Sequence, residues 1–225
     1  MIVQVRSLGC VPYAACWEAM RAFTDARTEA QEDEIWVVEH PAVFTLGKAG
    51  KQEHLLDPGA IPVIPSDRGG QVTFHGPGQL VVYLLLNVRR LQLGPRELVR
   101  RIEQAVMECL AGFGVPGERV KGAPGVYVGG RKIAALGLRI RGSFCYHGLA
   151  LNVAMDLEPF RRINPCGYAG LEVTDLRSVG VPESLEAVSG ALLPLLIAGL
   201  SASQQASCDT TSIHPGNGPE RVNPA

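Results

Sequence analysis

The 225-residue chain lacks a surplus of either charge, and it lacks an apolar run long enough to cross a membrane. Its 21 basic and 22 acidic residues give a formal net charge of -1, whereas general nucleic-acid binding calls for a basic excess that neutralises phosphates. The longest apolar runs, residues 80–86 and 191–200, fall short of the roughly 20 residues of a spanning helix. We therefore expect neither a nucleic acid nor a membrane as a partner.

The six cysteines lack the spacings of a disulfide framework. They form no CxxC pair, and the amino terminus has no charged segment followed by an apolar one, as a secretory signal would. A reduced, cytoplasmic location is therefore predicted. The largest segment poor in big apolar side chains is residues 201–225, which we predict to be a disordered tail after a single catalytic domain over residues 1–200.

Patterns for metals and nucleotides are also missing. Cys145, His147, His75 and Cys166 could in principle share a metal, but only residues 145–147 approach the short paired spacing of zinc ligands. The chain has no GxxxxGK[ST] loop, and its glycines do not complete a dinucleotide fingerprint. We expect no metal and no cofactor.

What the chain does contain is a succession of short apolar segments with turn residues between them. Periodicity predicts helices over residues 13–26, from Gly94-Pro95 onward, and over 183–200. It predicts strands over residues 2–5, 35–39, 43–46, 80–87, 126–128, 133–140 and 146–153, with loops over 51–59 and 114–124. The last three strands, with tight turns between them, suggest an antiparallel meander. The fold class is therefore predicted as α+β, a mixed, largely antiparallel sheet flanked by helices.

A glycine-rich stretch at residues 67–80 precedes the most apolar strand. Glycine lets the backbone approach a ligand closely, and a buried strand would hold such a loop rigidly. The pattern alone is equally typical of a hairpin turn.

Cys166 lies between a proline and a glycine, so its thiol is expected in a fixed, accessible turn. A nucleophilic thiol needs a neighbouring cation, base or helix amino terminus. Lys132 interrupts an otherwise apolar strand and is the best candidate, with His75 and His147 as rivals. His40 is more typical of a structural histidine, and Cys109 of a buried small apolar residue.

Four ordered motifs make a specific resemblance. They are RGGQVTFHGPGQ at residues 68–79, GRKIA at 130–134, HGLALN at 147–152 and INPCG at 163–167, and HPAVFTLG at 40–47 extends them. On these motifs the chain closely resembles the lipoyl(octanoyl) transferase family, over roughly three quarters of its length.

The resemblance implies a fold similar to the catalytic domain of biotin and lipoate protein ligases. It implies transfer of an octanoyl or lipoyl group from acyl carrier protein to a specific lysine of lipoyl domains, in 2-oxoacid dehydrogenases and glycine cleavage H protein. Cys166 would be the acyl-accepting nucleophile and Lys132 the cation that favours its thiolate. Lys132 or His75 would deprotonate the acceptor lysine.

The family's substrate-contacting segments also transfer to this chain by the motif match. They correspond to Arg68, Gly69, Gly70, Gln71, Val72, Thr73, Phe74, His75, Ala135, Leu136, Gly137, Gly148, Leu149 and Ala150. Many relatives carry tyrosine or histidine where this chain has Phe74, so a hydrogen bond from that side chain is not expected here.

Two enzymes on the same fold remain as alternatives, an ATP-dependent lipoate ligase and an octanoyl or lipoyl amidotransferase, and a non-catalytic acyl-binding protein is a third. Cysteine favours a substrate that is already activated as a thioester. Because carrier proteins and lipoyl domains are typically acidic, basic clusters are candidate docking patches. These clusters are Arg89-Arg90, Arg96, Arg100-Arg101, Arg139, Arg141 and Arg161-Arg162.

Overall fold

The computed structural model describes residues 3–201. The predicted first strand is confirmed from Val3 onward, and Ile2 lies outside the described residues. The predicted tail also lies outside them, except for Ser201, which ends the last helix.

The helices and strands alternate irregularly along the chain. In chain order they are β1 (Val3–Cys10), α1 (Tyr13–Ala26), β2 (Asp33–Glu39), β3 (Val43–Leu46), β4 (Val63–Pro65), β5 (Val72–His75), β6 (Gln79–Asn87), α2 (Pro95–Gly112), β7 (Glu118–Val120), β8 (Ala123–Val128), β9 (Arg131–Arg141), β10 (Phe144–Asn152) and α3 (Leu185–Ser201). Short 3-10 turns lie at Gln52–His54, Glu158–Arg162, Pro165–Gly167 and Arg177–Val179. No helix in this part of the chain is both long and apolar enough to span a bilayer.

The strands form two sheets. The larger has the order β1-β2-β6-β10-β9-β8-β7, and the smaller has the order β4-β3-β5. β1 and β4 pair in parallel with their neighbours, whereas the other pairings are antiparallel. The predicted mixed, largely antiparallel sheet is confirmed, and β8, β9 and β10 form the predicted meander.

Helices cover both faces of the larger sheet, and β6 shows why. All nine of its residues are buried, and alternate side chains point to opposite faces. Leu80, Val82, Leu84 and Leu86 pack in the core shared with α2 and α3, whereas Val81, Tyr83 and Leu85 pack in a second core beneath α1. A strand buried on both faces has a continuous apolar sequence, which accounts for residues 80–86.

The predicted loop at residues 114–124 was wrong in part, because it contains β7. All three residues of β7 are exposed, so no apolar alternation marks it. The predicted loop at 51–59 likewise contains a 3-10 turn. Cys109 is confirmed as a buried core residue on α2, where burial raises its pKa to about 11.

Candidate active site

A cavity of about 290 Å³ lies where β9 and β10 face the glycine-rich segment before β5. Residues from all four motifs of the sequence analysis share its wall. From the sequence analysis, they are Arg68, Gly69, Gly70, Gln71, Val72, Thr73, His75, Lys132, Ala135, Leu136, Gly137, His147, Gly148, Leu149, Ala150 and Cys166. The segments predicted to bind substrate therefore meet in one place.

Cys166 is held in a left-handed turn. Its φ of 57° is uncommon for a residue with a side chain, and Gly167 follows with a φ of 81°. The backbone N–H of Gly167 donates to the carbonyl of Asn164 at 2.9 Å, and the N–H of Asn164 donates to the carbonyl of His54 at 2.9 Å. A side chain at position 167 would press on Gln71. The turn is thus fixed, and the thiol is neither fully buried nor fully exposed.

The side chain of Lys132 reaches the thiol from β9. Its Nζ lies 3.0 Å from the Sγ of Cys166, donates to the carbonyl oxygen of Pro124 at 3.0 Å, and lies 5.1 Å from the centre of the Tyr127 ring. Burial alone would lower the pKa of Lys132, but its interactions with Cys166 and Tyr127 outweigh burial, and the pKa is raised. Lys132 is therefore an ammonium at neutral pH, placed to stabilise a thiolate.

Backbone hydrogen bonds join the two halves of this pair. The N–H of Lys132 donates to the carbonyl of Glu172, and the N–H of Thr174 donates to the carbonyl of Lys132, both at 2.9 Å. The segment that follows the Cys166 turn is therefore attached directly to the start of β9.

Arg68 organises the glycine-rich segment. Its guanidinium is buried and donates to the Thr45 hydroxyl and carbonyl and to the carbonyls of Gly69 and Gln71, at 2.6–3.0 Å. The N–H of Gly69 donates to the carbonyl of Leu138 on β9 at 2.9 Å. Burial lowers the pKa of Arg68. Because its N–H groups donate to oxygen atoms of the protein, Arg68 stabilises the conformation of the glycine-rich segment.

Glycine is required where strands and loop come closest. A side chain at Gly148 would overlap the carbonyl oxygen of Val82 on β6, and one at Gly137 would lie 3.0 Å from the carbonyl oxygen of Gly69. These glycines let the backbone form the cavity wall.

His75 lies at the cavity wall with both ring nitrogens in contact with protein oxygens. Its Nδ1 is 2.7 Å from the Gln79 carboxamide oxygen, its Nε2 is 3.4 Å from the Thr45 hydroxyl, and its ring stacks on Tyr13. Burial lowers the pKa of His75 to about 3. At neutral pH the ring is neutral and a weak base.

His147 also lines the cavity, at an unusual φ of 62° on β10. Its Nε2 donates to Asp67 at 2.9 Å, and Asp67 also accepts from Trp17 at 2.7 Å and from the Tyr146 hydroxyl. Burial lowers the pKa of His147. Among the described residues, its buried Nδ1 has no hydrogen-bond partner.

Phe74, predicted to contact the substrate, is not among the residues that line this cavity. Alternation along β5 turns it away from the face that carries Thr73 and His75. Its ring instead contacts Phe44 and Phe160, with centroids 5.4 and 5.6 Å away, in the core of the smaller sheet. His40 is buried with both ring nitrogens hydrogen-bonded, to the carbonyl of Val11 and the hydroxyl of Tyr83.

Sequence reasoning missed several contributors to the wall, among them Tyr13 from α1, Tyr83 from β6 and Pro124 from β8. A tyrosine within a buried apolar strand was the available signal for Tyr83, because a buried hydroxyl needs a partner. Nothing in the sequence marked Pro124, whose carbonyl oxygen is the part that matters.

Several of the arginines predicted as docking patches are used within the chain. Arg90 pairs with Asp33, Arg100 and Arg101 with Glu97, Arg141 with Asp25, and Arg162 with Glu158. These pairs reduce the positive charge that each cluster offers to a partner.

A thiol in a fixed turn therefore lies beside a buried ammonium at one cavity on this two-sheet fold. The chain matches the family model of the lipoyl protein ligase A/B catalytic domain over residues 12–195. It belongs to that family.

The chain is also similar to named relatives and to solved structures. The chain is 61% identical, over 200 residues, to the octanoyltransferase of Pseudomonas putida (strain W619), covering 89% of this chain and 93% of that protein. Among solved structures it resembles lipoate-protein ligase A bound with ATP, with a TM-score of 0.73 and 16% identity, covering 89% and 86% of the two chains. It also resembles the biotin protein ligase of Aquifex aeolicus, with a TM-score of 0.56 and 14% identity, covering 88% and 70%. The predicted fold resemblance is confirmed.

Proposed function

We propose that this protein is an octanoyltransferase that moves an octanoyl group from acyl carrier protein to a lysine of lipoyl domains through a thioester on Cys166. The observation that carries the proposal is the 3.0 Å contact between the Lys132 ammonium and the Cys166 sulfur at the cavity. The identity to named octanoyltransferases supports the choice of acyl group.

In the first half-reaction, the Cys166 thiolate attacks the thioester carbonyl of the donor. A new carbon–sulfur bond forms to Cys166, and the bond to the carrier's thiol breaks. The departing thiolate takes a proton from the Lys132 ammonium, which leaves Lys132 as a neutral amine. The products are an octanoyl-enzyme and a free carrier thiol.

In the second half-reaction, the acceptor lysine attacks the enzyme thioester and Cys166 leaves as a thiolate. The attacking nitrogen loses a proton, and neutral Lys132 takes it back, which restores the starting pair. His75 is a poor candidate for this step because burial lowers its pKa to about 3. Its two hydrogen bonds assign it to holding the cavity wall.

The cavity suits an alkyl chain. Glycine and alanine along β9 and β10 leave space beside Leu136 and Leu149. Moving the six methylenes beyond the carbonyl from water into an apolar slot contributes roughly 5 kcal/mol at about 0.8 kcal/mol per methylene. Such a slot selects octanoyl over short acyl groups.

Intact mass spectrometry after mixing with octanoyl carrier protein, without ATP, tests the proposal. We expect one octanoyl group on the wild type and on Cys10→Ala, a control that removes an exposed cysteine, but none on Cys166→Ala. Adding a lipoyl domain should then discharge the wild-type adduct. An adduct that persists in Cys166→Ala would reject Cys166 as the nucleophile.

The alternatives give different results in the same assay. A lipoate ligase would modify the lipoyl domain only with free octanoate and ATP. An amidotransferase would use an octanoylated lipoyl domain as donor in place of the carrier protein. A non-catalytic acyl-binding protein would form no covalent adduct with either donor.

A further inference from the structure

The Pro124–Gly125 peptide group forms hydrogen bonds with Lys132 on one side and with Glu103 on the other. The carbonyl oxygen of Pro124 accepts from Lys132 Nζ at 3.0 Å. The N–H of the same peptide unit, on Gly125, donates to the carboxylate of Glu103 at 2.9 Å in a buried contact. Glu103 lies on α2, outside the cavity and outside the motifs that carry the family resemblance.

We propose that Glu103 is a positioning residue for Lys132, acting through the Pro124–Gly125 peptide. This rests on the roles proposed above for Lys132 and Cys166. A peptide group is planar, so fixing its N–H also fixes the direction of its C=O. Glu103 thereby sets where the Lys132 ammonium lies relative to the sulfur.

The local backbone leaves few other means of fixing this peptide. The register between β8 and β9 shifts between Val126 and Tyr127, so the ladder is irregular next to Gly125. Gly125 has a φ of 134°, and a side chain there would lie 2.6 Å from the carbonyl oxygen of Ala134 and 3.3 Å from Lys132 Nζ. Without Glu103, the buried Gly125 N–H would lose its partner, and the peptide would rotate to find another.

Within residues 3–201, other polar groups also contact Glu103 and Lys132. Glu103 also accepts from Arg119 of β7 at 3.0 Å, and Arg119 has further acceptors in Gln104 and the carbonyl of Arg100. Cys166 and Tyr127 face Lys132 from the other side. Because Arg119 has these other partners, a carboxamide at position 103 can turn its oxygen to Gly125.

Alkylation of Cys166 by iodoacetamide, followed by peptide mass spectrometry from pH 5 to pH 10, measures the effect. In Glu103→Ala the ammonium moves away from the sulfur, so the midpoint of alkylation should rise by about half a pH unit or more and the rate at pH 7 should fall about threefold. Glu103→Gln keeps the acceptor and should restore the wild-type midpoint. Gln104→Ala removes a different partner of Arg119 and should leave it unchanged.

A wild-type midpoint in folded Glu103→Ala, or a midpoint in Glu103→Gln displaced as far as in Glu103→Ala, would overturn the proposal. If Glu103→Ala does not fold, Glu103→Asp replaces it in the test. This variant shortens the side chain by one methylene, keeps the charge and should raise the alkylation midpoint. An unchanged midpoint in Glu103→Asp would also overturn the proposal. Alkylation needs no acyl donor, so this outcome is independent of whether the protein transfers octanoyl groups.

Discussion

Replacing Lys132 with methionine tests the centre of the site. Methionine keeps the length of the apolar stem and fills the same buried space without the charge. In the native site Nζ of Lys132 lies 3.0 Å from Sγ of Cys166, so a thiolate there would lie 3.0 Å from a unit positive charge. An effective dielectric constant of about 20 gives roughly 5 kcal/mol of attraction, and one of about 40, suited to a partly exposed sulfur, gives roughly 3 kcal/mol.

The lower value corresponds to about a hundredfold change in the ionisation constant of the thiol, since each 1.4 kcal/mol is a factor of ten. An unassisted thiol with a pKa near ~8.5 is still about 3% ionised at pH 7, so the loss of thiolate there is at most about thirtyfold. We expect octanoylation of Lys132→Met, followed by quenched intact mass spectrometry, to slow by about that factor at pH 7. The rate should recover as the pH approaches 9–10, because an unassisted thiol ionises near pH ~8.5. The same substitution at Lys121, which is exposed, is the control.

Two results would refute this reasoning. One is a wild-type rate at pH 7 in folded Lys132→Met. The other is a loss of equal size at every pH, which would mean that Lys132 does not act through ionisation of the sulfur.

Three further predictions follow from the cavity and its walls. Ala150→Leu should fill part of the slot and shift the donor preference toward shorter acyl groups by about fourfold for each methylene excluded, as measured by competition between octanoyl and butyryl donors. An unchanged ratio of the two products would mean that the acyl group binds elsewhere. Gly148→Ala should lower the free energy of unfolding in urea by about 3 kcal/mol, the upper part of the range for overpacking, because the added methyl group would overlap the backbone of β6. Gly190→Ala is the control and should leave the free energy of unfolding unchanged, because the space around Gly190 is open. The folded-state pKa of His75, about 3, lies below its ordinary value of 6.5, so the contribution of the neutral ring to stability is present above pH 6.5 and is lost as the pH falls toward 3. His75→Gln should therefore lose less stability than the wild type between pH 7 and pH 4.5. Parallel curves of unfolding free energy against pH for the two proteins would contradict this.

The local parts of the fold could be predicted from the sequence because their signals are local. The helix at Tyr13–Ala26 has the predicted bounds, and β6 follows from its continuous apolar run. β7 could not be predicted from the sequence, because an exposed edge strand of three residues has no core-facing side chains and therefore no apolar pattern.

The site could be predicted only in part. Lys132 and Cys166, which the structure brings into contact, were singled out by a charged residue in an apolar strand, a cysteine in a turn and the family resemblance. Whether Phe74 or His75 faces the cavity depends on which side of β5 is covered, and the pairing of the smaller sheet decides that. Glu103 could not be found at all, because its role passes through a backbone peptide 22 positions along the chain.

The backbone bonds between Lys132 and the segment at Glu172 and Thr174 have a consequence for the active site. They hold the segment that follows Cys166 against the strand that carries Lys132, so backbone hydrogen bonds, and not side chains alone, keep the thiol beside the ammonium. A thiolate at this position would be open to peroxide, since oxidation of cysteine follows thiolate character and access. An acyl group on the sulfur blocks that reaction, so supply of the donor would protect the enzyme as well as feed it.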